Sequence, residues 1–232
     1  MADHPKPAGN RQSPRSTRRQ VLVIGLGRFG GAVAQELTRL DFEVLGCDTD
    51  GRRVQQLSDV LTHTLQADTT SAEVLQQIGA KDFHHAVVGI GSDIESSILT
   101  TAALADLGVG NIIAKAVSEP HGRILERVGA NTVVYPEHEM GRRVAHLVGG
   151  RIIDWFQLDE NFAMVETTAP HAMLGRTLAE LGIRANHHVT VVAIKPRDES
   201  FTYATAETVL GQGDVLVVAG PSAACERFAA MT

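Results

Sequence analysis

The chain has 232 residues, 44% of them apolar, 21% charged and 4% aromatic, and a formal net charge of −6. That composition describes a soluble globular protein of one large or two small domains and excludes a disordered or fibrous chain. No apolar run approaches the roughly 18 residues of a membrane span.

Charge is uneven. The first 19 residues carry Lys6, Arg11, Arg15, Arg18 and Arg19 against Asp3, a formal +4, which leaves −10 on residues 20–232. A body that acidic argues against tracking along nucleic acid. Residues 1–19, rich in Pro, Ser and Arg without an apolar core, read as a disordered basic tail. They also lack the apolar stretch of a secretory signal. Cys47 and Cys225 stand far apart in no zinc or CxxC pattern, which favours a reducing cytosol over a disulfide scaffold.

From residue 20 strands and helices alternate. Gln20–Gly25 is a short apolar strand, followed by a helix with Phe29, Val33, Leu37 and Leu40 at helical spacing. Phe42–Cys47 is a second strand, Arg52–Leu57 a helix, Thr62–Ala67 a third strand and Ser71–Ile78 a helix capped by Ser71. Ala86–Ile90 is the fourth strand, and Asp93–Leu107 a helix that Ser92 could cap, with Glu95 in the reciprocal position. Asn111–Val117, the proline-opened helix Pro120–Val128 and the strand Asn131–Tyr135 complete six strands. Such alternation with short loops implies an α/β fold with a Rossmann-like, doubly wound parallel sheet.

After Pro136 the rhythm changes. A helix carrying Met140, Val144, Leu147 and Val148 stops at Gly149-Gly150, where the first domain, residues 20–150, is expected to end. Residues 151–232 read as a small α+β lobe. Its strands are expected at Phe162–Thr167, Val189–Ile194 and Val215–Ala219, its helices at Arg176–Leu181 and Ala223–Ala230, with a turn at Gly211–Asp214.

The first strand runs into Gly25-Leu26-Gly27-Arg28-Phe29-Gly30, a GxGxxG between strand and helix. In a dinucleotide-type loop Gly25 permits the tight turn, Gly27 admits a pyrophosphate to the backbone and Gly30 lets helix and strand pack. The second strand ends at Asp48, where a carboxylate can accept from both hydroxyls of an adenosine ribose. Asp68 ends the third strand, placed either to accept from an adenine amino group or to cap the next helix. Gly91-Ser92 follows the fourth strand, and Lys115 lies in the fifth, facing a phosphate or a structural carboxylate. Arg28 adds a guanidinium to the phosphate loop, suited to a terminal phosphate in its own or a neighbouring site, or else to solvent. Glu137 and Glu139 could offer oxygens to a divalent cation, or simply favour the dipole of their helix.

Catalysis is not indicated. There is no Tyr-xxx-Lys pair, GxSxG, HExxH or Walker A loop, and the doublets His84-His85 and His187-His188 point their rings in different directions.

At these residues the chain resembles the RCK (regulator of potassium conductance) domains, and above all the TrkA-N plus TrkA-C regulatory subunits of Ktr/Trk potassium uptake systems. The likeness lies in Val23–Gly31, Cys47-Asp48, Ala67-Asp68-Thr69, Gly89-Ile90-Gly91, Ser97–Thr101, Ala114-Lys115-Ala116, Val128-Gly129-Ala130, Tyr135-Pro136-Glu137 and Glu139-Met140-Gly141. It continues in Leu178, Leu181, Ile183–Asn186 and Gly213–Leu216. The resemblance implies ATP or ADP at Gly25, Gly27, Gly30, Asp48 and Asp68, or NAD(H) on the Trk pattern. It implies that Arg28 reaches the terminal phosphates of a neighbouring subunit's ligand, and that Glu137 meets a divalent cation such as Mg2+ or Ca2+ at the dimer interface. It further implies a homo-oligomeric gating ring, commonly an octamer. Such a ring sits in the cytoplasm and docks on a membrane potassium-translocating subunit. Some members bind cyclic di-AMP near the position of Arg184-Ala185-Asn186; here Asn186 is followed by two histidines, a departure from that pattern. A small NAD-dependent oxidoreductase is the remaining alternative.

Overall fold

The computed structural model describes residues 20–232, so the basic tail lies outside the described residues. The chain forms two compact units, one ending at Pro136 and the other beginning at Glu137.

The first unit alternates β1 (Gln20–Ile24), α1 (Arg28–Arg39), β2 (Glu43–Asp48), α2 (Gly51–Leu57), β3 (His63–Gln66), α3 (Ala72–Gln77), β4 (His85–Val88), α4 (Ile94–Asp106), β5 (Asn111–Lys115), α5 (Glu119–Arg127) and β6 (Thr132–Val134). The sheet order is β3-β2-β1-β4-β5-β6, and every pairing is parallel. Strand order reverses beside β1, the place where doubly wound sheets open a crevice for ligands. In β1, Leu22 and Ile24 enter one core with Val88, Leu104, Ile112 and Leu125. Val21 and Val23 enter another with Leu26, Ala34, Val44 and Leu57. Successive side chains point to opposite faces, so both faces are dry, which is why β1 reads as an unbroken apolar run.

Side-chain caps start α2, α3, α4 and α5. Asp50 accepts from the Arg52 N–H, Ser71 from Val74 and Ser118 from His121, each worth about 1 kcal/mol. For α4 the expectation of a Ser92 cap is corrected: Asp93 accepts from the Ser96 N–H and hydroxyl, one residue further on. The expected strand Ala86–Ile90 also ends early, at Val88. A Cβ on Gly89 would stand 2.9 Å from the Gly25 carbonyl oxygen and 3.0 Å from Gly30 Cα, so the chain there crosses the glycine loop.

The second unit contains α6 (Pro136–Leu147), β7 (Ile152–Asp159), β8 (Phe162–Thr168), α7 (Leu178–Leu181), α8 (Ile183–His187), β9 (Thr190–Lys195), β10 (Thr202–Tyr203), β11 (Val215–Pro221) and α9 (Ser222–Ala229). The antiparallel order is β10-β9-β11-β8-β7 over a core of Trp155, Val165, Leu210, Leu216, Val218 and Phe228. The sequence reading closed the first domain at Gly150, whereas α6 falls in the second unit, tied there by two of its side chains. The Arg143 guanidinium pairs with both Asp154 oxygens and lies 4.9 Å over the Phe156 ring. His146 stacks on Trp155 at 3.8 Å and stands 3.7 Å from Glu226. Hydrogen bonding from Arg143 holds the Asp154 carboxyl below the usual carboxylate range.

Each unit buries one cysteine: Cys47 in β2 and Cys225 in α9. Burial pushes the Cys47 thiol up to about 12 and that of Cys225 up to about 11. The expected turn at Gly211–Asp214 is present, the Asp214 carboxylate accepting from the Gly211 and Arg197 N–H groups at 2.7 and 3.3 Å.

Candidate nucleotide site

The glycine loop leaves β1 and enters α1, and its three glycines have different reasons to be glycine. Gly25 has φ +84°, and a Cβ there would touch the Ile90 backbone nitrogen at 3.0 Å. At Gly30 a Cβ would lie 1.9 Å from the Gly25 carbonyl oxygen. The fold demands both. Gly27 has an ordinary φ of −68°, and a side chain starting there would meet nothing nearer than Arg53 Nη1 at 3.9 Å. The fold itself would accept a larger residue at Gly27. No side chain caps α1, and no acidic residue stands in its first turn, so the N-terminal N–H groups present partial positive charge beside that bare backbone. Such a terminus takes phosphate.

Asp48 closes β2 next to the loop and is buried. Its Oδ2 accepts from the Leu26 N–H at 2.7 Å and its Oδ1 from the Asp50 N–H at 2.8 Å. These bonds tie the carboxylate to the glycine loop and fix its orientation. Arg53, which the sequence reading passed over, donates to Oδ2 at 3.3 Å.

On the other side of β1 the structure gathers Phe29, Gly91 and Lys115. Lys115 ends β5, is buried, and carries its Nζ 5.8 Å from the Phe29 ring centroid. A Cβ on Gly91 would lie 3.1 Å from that same Nζ, so Gly91 makes room for the ammonium. Ser92 is exposed in the loop beyond. Arg28 is the first residue of α1 and exposed, and no ion pair reaches it from the described residues.

Asp68 does not cap α3, a role taken by Ser71. Its Oδ1 accepts from the Thr70 N–H and hydroxyl at 3.0 and 2.7 Å, bonds that lower its pKa, the hydroxyl most. Glu137 belongs to the first turn of α6. Among the described residues no group of three or more His, Cys, Asp or Glu could hold a metal ion. In the second unit Asn186 spends its amide on the Leu181 carbonyl at 2.9 Å.

His121 was also missed. It is buried in α5, where its Nδ1 accepts weakly from the Val117 N–H at 3.4 Å and its Nε2 meets no partner among the described residues. Burial lowers its pKa.

The TrkA-N domain model matches residues 21–136 and the TrkA-C domain model residues 162–232. The chain is 37% identical over 212 residues to Ktr system potassium uptake protein C of Bacillus subtilis, covering 91% of this chain and 96% of that one. This chain belongs to the Ktr family of RCK potassium-uptake subunits. Another Bacillus subtilis relative, Ktr system potassium uptake protein A, is 32% identical over 92% of the Ktr chain described here and 97% of its own length. Among solved structures, the GsuK RCK domain superposes with a TM-score of 0.64 at 20% identity, over all of this chain and 50% of that one. A GsuK channel bound to NAD gives 0.63 at 20% identity, over 94% of this chain and 40% of that one. This Ktr chain thus has the RCK fold and spans about half, or less, of the GsuK chains it matches. No helix among its described residues is long and apolar enough to cross a membrane.

Proposed function

We propose that this Ktr subunit binds an adenine nucleotide at the Gly25–Gly30 loop, and that the bound nucleotide sets potassium flux through a membrane-embedded partner. The carrying observation is Gly27, the one glycine of the motif whose bare backbone the fold does not require. Phosphates would sit on that backbone and the first turn of α1, the ribose at Asp48 and the adenine toward Asp68. Phe29, Gly91, Ser92 and Lys115 would flank the phosphates from the β4 and β5 side.

ATP and ADP are the preferred ligands in this reading. Arg28, exposed on the loop, supplies a guanidinium that a neighbouring copy's terminal phosphate would meet across a homo-oligomeric ring. ATP would engage it and ADP would leave it unpaired, so the two ligands favour different arrangements of neighbouring subunits. Only such a difference in affinity can shift a pore's equilibrium. The chain acts as a regulator without catalysis, on the cytoplasmic face of the membrane. Mg2+ or Ca2+ at Glu137 would also take oxygens from the nucleotide phosphates.

Calorimetric titration with ATP, ADP, NAD and NADH, with and without magnesium, tests the reading. ATP and ADP bind in preference to NADH, and Arg28→Ala reduces the ATP-to-ADP affinity ratio more than it weakens ADP. Preference for NADH replaces ATP and ADP by NAD(H) as the sensed ligand; binding of none overturns the nucleotide site.

A further inference from the structure

Arg53 stands in the first turn of α2, between three elements of the site. Its Nη1 is 3.3 Å from Asp48 Oδ2, and its Nε is 3.8 Å from Asp50 Oδ2. The same Nη1 lies 3.9 Å from where a side chain on Gly27 would begin. The guanidinium therefore spans the carboxylate that would hold a ribose and the backbone that would hold a diphosphate.

The three donors to Asp48 are not equivalent. The Leu26 and Asp50 N–H groups belong to the backbone of the loop and the α2 cap, and they already satisfy one lone pair on each oxygen. Arg53 is the donor that can leave. Its side chain is 47% exposed over a carboxylate that is 5% exposed, so it covers Asp48 from the solvent side. A half-exposed pair of this kind adds little to stability, and the fold does not depend on it for the satisfaction of Asp48.

We propose that Arg53 is an exchangeable guard of the nucleotide site, an inference that rests on the nucleotide reading above. In the empty chain it occupies Asp48. An incoming ribose diol displaces it, and the released guanidinium turns to the 5′-phosphates over Gly27 of the same chain. A ligand without phosphate repays Asp48 with its ribose hydroxyls but gives the displaced guanidinium no new anionic partner. One carrying a diphosphate replaces a carboxylate partner by a phosphate partner, a charge-assisted exchange that preserves the hydrogen bonds. The site thereby rejects bare nucleosides. This role is distinct from that of Arg28, which is directed at a neighbouring copy's ligand.

The test compares wild type, Arg53→Ala and Arg52→Ala, the last a control because Arg52 is 90% exposed and pairs with Asp50. ADP affinity is measured by calorimetry, and adenosine affinity by its displacement of a fluorescent ADP. In Arg53→Ala, ADP weakens about 10-fold or more, as the loss of a charged hydrogen bond predicts, while adenosine competes as well as or better than it does on wild type. Arg52→Ala leaves both unchanged. Equal weakening of ADP and adenosine, or unchanged ADP, overturns the guard while leaving the nucleotide site intact. A wild-type chain that binds no adenine nucleotide overturns both.

Discussion

The parallel sheet of the first unit is covered on both faces, whereas the antiparallel sheet of the second leaves Ile153, Phe156, Leu158 and Phe162 exposed along β7 and β8. The consequence is a division of labour. With both faces closed, the polar groups of the first sheet collect at its carboxyl edge, where Asp48 and Lys115 stand buried beside bare glycine backbone. In the second unit the buried polar groups are consumed by the fold: Asp214 braces its own turn, and the Thr167 hydroxyl donates to the Arg151 carbonyl at 2.7 Å. Chemistry is offered by one unit and surface by the other.

The largest expected effect tests whether that division is real. Gly30→Ala puts a methyl 1.9 Å from the Gly25 oxygen and should cost the first unit more than about 4 kcal/mol. Adenine-nucleotide binding is lost. Trp155, the chain's single tryptophan, lies in the second unit and keeps its fluorescence unfolding transition. If that transition disappears as well, the units do not fold independently.

The reciprocal variant is Leu216→Ala, which empties the centre of the second core. It should lower the Trp155 transition by about 2–5 kcal/mol, with nucleotide affinity at 20 °C or so unchanged.

A smaller effect follows from His121. Burial holds its pKa below the ordinary 6.5, so the unfolded chain binds this proton first. The stability gained by keeping the ring neutral is fully present above about pH 6.5. It is lost as pH falls from there through the lower folded value. His121→Phe should flatten this part of the pH profile of the first unit's melting; an unchanged slope removes His121 as its source.

The smallest effect has the opposite sign. Gly141 lies within α6 and a Cβ there meets nothing within 4 Å, so Gly141→Ala should stabilise the second unit by about 0.5–1 kcal/mol in denaturant melts. A loss of stability instead would mark this glycine as a point of close approach to a second copy.

Local signals made much of the first unit legible. The run Gln20–Gly25 and the glycine spacing are consecutive in sequence, and the acid at Asp48 follows at the end of the next strand, bonded back to the loop at Leu26. The break at Val88 was not legible, because it is set by Gly89 crossing Gly25 and Gly30, a contact no neighbouring residue announces. The α4 cap slipped by one residue, since Ser92 and Asp93 are both good cap formers. Arg53 was missed because an Arg-Arg pair after an acid reads as a solvated helix start, and its reach to Gly27 is a tertiary fact. β7 was missed because, as an edge strand with two register shifts, it carries no clean alternation.

The two buried thiols give each unit its own clock. A thiol sealed in a core and held up to about 11 or 12 reacts with an alkylating reagent only when its surroundings open. Mass spectrometry of a single labelling reaction thus separates two opening rates in one intact molecule. A ligand that closes the crevice should slow the modification of Cys47 and leave Cys225 at its own pace, unless the message crosses from one unit to the other.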